Sequence, residues 1–473
     1  MTVDDVIFSM ELLREKGRPN HRSYYAKVEK TEQIGERGVK MIFKADGDRE
    51  MPLIMGLMPV MPKHLVDPAK FDATSLEPPI GSGPYTVTGV DPGASLTLTR
   101  NPDYWGRDLP VNRGRYNFSE IRYEFYRDAN SLFEAFKKGL FVINTESDPG
   151  RWARDYDFPA VADGRVVKAT FETGTPSGML GLVFNTRRPF FADRRVREAL
   201  ILLFDFEWLN KNLFHGLYER TQSYFDGSEL SSHGRPADAR EKELLAPFPD
   251  AVTEAAMDGT LTQPVTDASG RDRNNRRNAL QLLKEAGYEP VDGKLIETAT
   301  GEAVGFEMLA ATRDQERLFL NFARALRQVG IDVRIRQVDS AQYQARKTSF
   351  DFDMIQNSWG ASLSPGNEQS FRWSQAAAGS EGSFNYPGVK SQAVDAMIAA
   401  LLAAKTRADF VSAVRALDRV LMSGSYVVPL FHAPAQWVAY WRQLQHPAVT
   451  PLYGVQIDSW WLGEDGKPHA EAR

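Results

Sequence analysis

From residue 303 onward the chain runs strand, helix, strand, and no other feature narrows its fold as far. Residues 304–310 alternate apolar and polar side chains. Leu318, Phe322, Leu326 and Val329 then fall at helical spacing, Gly330 stops the helix, and Ile331, Val333 and Ile335 alternate again. Two strands separated by one amphipathic helix make a β-α-β crossover, which joins parallel strands because antiparallel ones need only a short turn. The expectation is an α/β fold with a mainly parallel sheet. A length of 473 residues, at roughly 150 residues per domain, leaves room for about two to four domains.

The remaining chain yields to the same reading. Thr2 and Asp5 resemble a capping box ahead of a helix through Val6, Met10 and Leu13 that Gly17 ends. Val39, Met41 and Phe43 alternate in a charged hairpin, and the proline-rich residues 52–80 suit packed irregular chain better than a long helix. Tyr85 and Val87, then Leu96 and Leu98, flank the turn signal Asp91-Pro92-Gly93. Ile121, Tyr123 and Phe125 read as a further strand, residues 130–138 as a helix stopped by Gly139, and Leu140–Ile143 as a buried strand. Residues 180–185 form a strand, Asp193 starts a helix, and residues 276–286 form another that Gly287 caps. Two helices, about 391–404 and 408–422, precede an aromatic, strand-rich tail from Tyr426.

The stretch Ser349–Trp373 carries the densest set of binding groups. Phe350, Phe352 and Met354 alternate with polar residues as a half-buried strand would. The strand is expected to give way to a loop at Asn357-Ser358-Trp359-Gly360-Ala361-Ser362, followed by Pro365-Gly366-Asn367-Glu368. Amide, hydroxyl and indole groups around an aromatic wall, held on a rigid scaffold, suit ligand binding. A surface loop with one packing tryptophan fits the same spacing.

Composition closes several routes. With no cysteine, disulfides, thiolate metal sites and cysteine nucleophiles are excluded. A net charge of -5 offers no general attraction to nucleic acid. No apolar run is long enough to span a membrane, and the N-terminal residues do not read as a signal peptide. The 7 histidines, at positions 21, 64, 215, 233, 432, 446 and 469, are dispersed without a metal-binding spacing. Gly81-Ser82-Gly83-Pro84-Tyr85-Thr86 leads into a strand, where a pyrophosphate would need a helix N-terminus. Gly360-Ala361-Ser362-Leu363-Ser364 lacks the second glycine of a nucleophile elbow. The cluster Arg271, Arg273, Arg276 and Arg277 reads as the solvated start of a helix. No catalytic motif emerges, so the chain is read as a non-enzyme that needs no cofactor or metal.

The order of these pieces resembles the extracellular solute-binding proteins of family 5, peptide-binding components of ABC importers. Thr2-Val3-Asp4-Asp5-Val6-Ile7-Phe8-Ser9 is similar to that family's helix start. Gly81-Ser82-Gly83-Pro84-Tyr85, Arg100-Asn101-Pro102-Asp103-Tyr104-Trp105 and Asp193-Arg194-Arg195-Val196-Arg197-Glu198-Ala199-Leu200 resemble three further signatures. Leu109–Phe118, Trp152 with Tyr156-Asp157-Phe158-Pro159-Ala160, and Ser364-Pro365-Gly366-Asn367-Glu368 resemble the YejA-type branch, associated with oligopeptides and microcin C.

The resemblance implies a type II (cluster C) periplasmic binding fold: two α/β lobes joined by a hinge, with an extra subdomain on lobe I. Residues 1–80 would belong to that subdomain, 81–188 and 438–473 to lobe I, and 189–437 to lobe II, with hinge crossings near Thr186–Pro189 and Trp437–Arg442. Ligand would sit between the lobes. In the family a leader, the first strand of lobe I and more of the subdomain precede the first helix, which implies a shortened or misassigned N-terminus here and an unpaired sheet edge in lobe I. Expected ligand contacts are Trp359, Asn357, Ser358, Ser362, Asn367, Glu368, Asn185, Arg151 and Trp152, with Glu368 standing in for the acid that meets a peptide's amine in other members. Trp437, Tyr440 and Trp441 are read as packing residues. The implied protein is a periplasmic monomer that captures oligopeptides and hands them to ABC permease subunits. A metal chelate, haem or sugar as ligand, or an inactive fragment, are the alternatives.

Overall fold

A computed structural model describes residues 1–44, 50–71 and 75–463. The tail 464–473, with His469, lies outside the described residues, as do small parts of the expected subdomain. In chain order the principal elements are α1 (Val3–Lys16), β1 (Val28–Ile34), β2 (Gly38–Phe43), β3 (Tyr85–Asp91), β4 (Ser95–Arg100), β5 (Glu120–Glu124), α2 (Ala129–Lys137), β6 (Ile143–Glu146), β7 (Val166–Phe171) and β8 (Met179–Phe184). They continue with α3 (Arg194–Leu202), β9 (Gly305–Ala310), α4 (Arg313–Arg327), β10 (Asp332–Gln337), α5 (Ser340–Thr348), β11 (Met354–Trp359), α6 (Glu368–Trp373), α7 (Gln392–Ala403), α8 (Arg407–Ser423), β12 (Val427–Pro429) and β13 (Gln436–Trp441).

The chain divides into two compact units. One takes Met1–Ser147, Arg154–Phe171 and the chain from Gln436; the other takes Asp148–Ala153 and Glu172–Ala435. The passage into the second unit thus falls at residues 171–172, ahead of the crossing expected at Thr186–Pro189. Hydrogen bonding supplies the reason: β8 lies between β11 and β12 and is antiparallel to both. The return falls at residues 435–436, so Trp437–Trp441 lies in a strand of the first unit and Arg442 in the turn after it.

Small sheets build the first unit, among them the hairpin β1–β2, the antiparallel meander β3–β4–β5, β6–β13–β7, and a short pairing of Leu444–Gln445 with Trp461–Leu462. The capping box at Thr2 and Asp5 forms, and α1 packs Met10 and Leu13 against Tyr25, Val28, Met51 and Met58. Trp437 and Tyr440 are buried, and the Trp441 indole donates to the Phe136 carbonyl at 3.1 Å. The strand expected at Leu140–Ile143 begins only at Ile143. Gly139, at φ +73°, ends α2, the Leu140 amide is spent on the Ala135 carbonyl, and the Leu140 side chain is 66% exposed.

The second unit carries one five-stranded sheet in the order β10–β9–β11–β8–β12. The β9-α4-β10 crossover is parallel as its rhythm requires, and β9 pairs parallel with β11. The sheet is nonetheless mixed, because β8 and β12 add an antiparallel half. Alternation along the strands sends Val183, Leu309, Ile355 and Trp359 to a core shared with α7 and α8. Leu182, Phe184, Met308 and Met354 face the opposite core with α3 and α4.

Candidate functional site

The end of β11 is fixed before its side chains are placed. Phe350 sits at φ +57° and therefore outside any strand. The Asn185 amide holds it there by donating to the carbonyls of Phe350, at 3.0 Å, and Phe352, at 2.7 Å. The expected strand over residues 349–356 is thus displaced. Pairing starts at Met354 and runs through Asn357 and Ser358 to Trp359, residues expected in a loop. Gly178, at φ +73°, lets the chain before β8 pass this strand end, since a Cβ there would lie 2.5 Å from the Trp359 carbonyl oxygen. Gly178→Ala is expected to destabilise the protein by about 1–3 kcal/mol, read from the midpoint of denaturant unfolding.

Because side chains alternate along β11, Asn357 shares a face with Ile355 and Trp359, while Ser358 points the other way and is exposed. Trp359 is buried rather than displayed. Its ring packs on Trp373 at 4.9 Å and Tyr386 at 6.1 Å, and its indole donates to the Phe384 carbonyl at 3.3 Å. Trp373 in turn meets Tyr224 edge-on at 5.0 Å.

Beside this aromatic cluster lies a cation. The Lys347 ammonium, carried on α5, donates to Asn357 Oδ1 at 2.7 Å and stands 4.4 Å from the Tyr386 ring centroid. Burial holds its pKa below the ordinary lysine value. It makes no ion pair with a carboxylate among the described residues. Oδ1 is taken by the ammonium, and Nδ2, on the other arm of the amide, is buried without a hydrogen-bond partner. An orphaned donor of this kind costs about 1–3 kcal/mol. The pair offers a positive charge and a spare N–H, and what it lacks is an anionic acceptor.

The other expected contacts are dispersed in role. Asn185 spends its Oδ1 on the Arg187 backbone amide and guanidinium as well, and so ties chain to chain. Both Glu368 oxygens accept from the Gly366 amide at 3.0 Å, folding the carboxylate onto its own turn. Asn367 is buried at the start of α6, and Ser362 Oγ accepts from the Ser364 amide at 3.2 Å. Arg151 and Trp152 lie in a short helix, Pro149–Arg154, where Asp148 accepts from the Gly150 and Arg151 amides. Trp152 is buried.

Sequence reading missed Lys347, Tyr386 and Arg187. Lys347 lies beside Arg346 on α5, and nothing local in the sequence foretells that it packs against Asn357 and Tyr386. Arg187 is half-buried over the Phe350 ring at 3.9 Å, its pKa lowered to about 10 by burial, and it donates to the carbonyls of Ala378, Asn385 and Tyr386. It thereby places the Tyr386 segment. No cluster of histidine and carboxylate groups among the described residues could hold a metal ion, and no helix among them is long and apolar enough to cross a membrane.

Residues 1–381 match the bacterial extracellular solute-binding proteins, family 5 Middle. A Brucella melitensis protein, named for binding without a stated ligand, is 57% identical over 462 residues, covering 98% of this chain and 75% of the relative. Two Agrobacterium fabrum proteins are similar: "Peptidoglycan-binding protein YepA" at 45% identity, covering 98% of this chain and 76% of its own length, and "Probable peptide-binding protein YejA" at 40%, covering 98% and 77%. Among solved structures, the oligopeptide-binding protein AppA of Bacillus subtilis in complex with a nonapeptide superposes with a TM-score of 0.71 at 19% identity, over 98% of this chain and 84% of that one.

Proposed function

The chain belongs to the bacterial extracellular solute-binding proteins of family 5, and from that premise we propose that it captures oligopeptides and delivers them to the permease of an ABC importer. The observation that carries the reading is the Lys347–Asn357 pair: a sequestered ammonium without a carboxylate partner, next to an unpartnered amide donor. A peptide's terminal carboxylate supplies the missing charge and acceptor oxygens in one group. The exposed Ser358 and Ser362 are proposed as further polar contacts, and Trp359 as the rigid backing of the pair. We place its action outside the cytoplasm, as a monomer that binds without transforming its ligand.

The similarity to a protein named for peptidoglycan favours a second reading of the same site, in which the peptide is a peptidoglycan stem peptide. Such a ligand also carries free carboxylates, so the Lys347 argument is unchanged.

Thermal unfolding with and without a mixed tri- to octapeptide pool tests the proposal. A ligand that binds only the folded chain, at about 100 times its Kd, adds about 2.7 kcal/mol of stability. An upward shift of the midpoint with peptides is expected. A cooperative transition that ignores peptides but rises with a nickel–histidine chelate, haem or an oligosaccharide would contradict it.

A further inference from the structure

The arginine cluster at residues 271–277 divides in the structure. Arg276 and Arg277, on the helix Arg273–Glu285, donate to Gln328 and Asn274, each at 3.4 Å. Arg271, ahead of that helix, instead lines a cavity of 380 Å³ together with Arg324 of α4. Both are exposed, and neither guanidinium has a hydrogen bond or ion pair among the described residues. Leu203, Trp208 and Phe322 give the cavity an apolar lining. Gly270 lies on the indole, where a Cβ would come within 3.4 Å of Trp208 Cδ1. A third guanidinium stands behind the wall. Arg220 lies 4.8 Å from the ring centroid of Phe204, which lines the cavity, and its three nitrogens are buried without a hydrogen-bond partner. Burial lowers its pKa to about 10, which leaves it charged at neutral pH. The nearby acids are engaged. Asp205, also in the lining, accepts from the Trp208 and Gly270 amides at 2.9 and 2.8 Å and from the Thr266 hydroxyl, and Glu207 accepts from the Thr266 amide at 3.0 Å.

We propose that this cavity is a second ligand site, which takes a small oxyanion carried on a flat apolar ring. Arg271 and Arg324 reach it from different elements and offer planar N–H forks, which match carboxylate and phosphate oxygens. The ring lies against Trp208 and Phe322, where aromatic faces and edges receive it. Arg220 adds positive potential from behind Phe204, and so far from water that potential is weakly screened. The Asp205 carboxylate repels the anion and turns its charged end towards the arginines. Because Asp205 already accepts from three donors, it gives little hold to a cationic ligand. A cavity of 380 Å³ sits at the low end of the usual range for ligand pockets, about 300–1,000 Å³, which suits a molecule with one ring. None of its lining residues belongs to the Lys347–Asn357 site, so the inference stands apart from the peptide reading.

The test is a ligand-observed NMR titration of the full chain at fixed ionic strength. Benzoate and phenyl phosphate are the anionic probes. Benzyl alcohol supplies the ring without the charge, and acetate the charge without the ring. At least one anionic probe is expected to bind about tenfold or more tighter than both controls, and the tighter of the two tells a carboxylate ligand from a phosphate one. Arg271→Gln and Arg324→Gln should each weaken that probe by about tenfold, the scale of one charge-assisted hydrogen bond. Both side chains are exposed, so the thermal unfolding midpoint of each variant should match the parent, which separates a lost contact from a lost fold. The proposal is overturned if neither ring anion binds more tightly than acetate and benzyl alcohol. It is also overturned if either arginine variant binds the probe as the parent does, which would place the probe elsewhere.

Discussion

Replacing Arg419 by methionine is expected to lower stability by about 3–5 kcal/mol, the usual cost of leaving one member of a buried ion pair behind. Arg419 and Glu241 both have fully buried side chains, with Nε 2.5 Å from Glu241 Oε2. The guanidinium also donates to the carbonyls of Ala256 and Arg235, so its loss strands a carboxylate and two backbone acceptors at once. Burial already raises the Glu241 pKa above 4.5 despite the arginine. A raised carboxylate pKa means that the charged form opposes folding at neutral pH and that this opposition fades as pH falls towards 4.5. The variant should therefore recover part of its loss on mild acidification. Arg419→Met combined with Glu241→Gln should recover more, since no charge then remains in the site. Denaturant unfolding of the single and double variants at two pH values measures all of this. An Arg419→Met chain as stable as the parent would contradict the assignment.

Lys347→Met should weaken binding of a peptide with a free C-terminal carboxylate by about 2 kcal/mol or more, roughly thirtyfold, with little effect on a C-terminally amidated peptide. Methionine keeps most of the side-chain bulk, so the comparison isolates the charge. The pH dependence has a definite sign. Burial depresses the Lys347 pKa below 10.5, so the free chain loses this proton earlier than an exposed lysine would on raising the pH. Carboxylate affinity should fall as the pH rises through that range, separately from the loss in acid where the peptide's own carboxylate protonates, at about 3.5. Titration calorimetry on the acid and amide forms of one peptide reads both effects. Equal losses for the two forms would place the carboxylate elsewhere.

Much of the fold was legible because its signals are local. The crossover over residues 304–337 announced itself by a change of period, and Gly139, Gly287 and Gly330 marked helix ends because each adopts positive φ there. What misled were contacts between distant residues. Phe350 and Phe352 alternate like a strand and are buried like one, yet Asn185, far back in the sequence, pulls that backbone into a turn. The antiparallel half of the large sheet depends on β8 slotting between β11 and β12, which no periodicity encodes. The candidate site divides the same way. Asn357 was singled out as a candidate from the loop expected after the strand, whereas Lys347 and Tyr386 meet it only through tertiary packing. Trp359 looked like a displayed wall because nothing near it in sequence foretold that Trp373 and Tyr386 would enclose it.

Native mass spectrometry of the purified chain with a defined peptide mixture tests the central claim most directly. The expected result is one peptide bound per folded chain, with free-acid peptides retained over their amides. A folded chain that retains no peptide from the mixture, while binding a chelate or sugar under the same conditions, would contradict it.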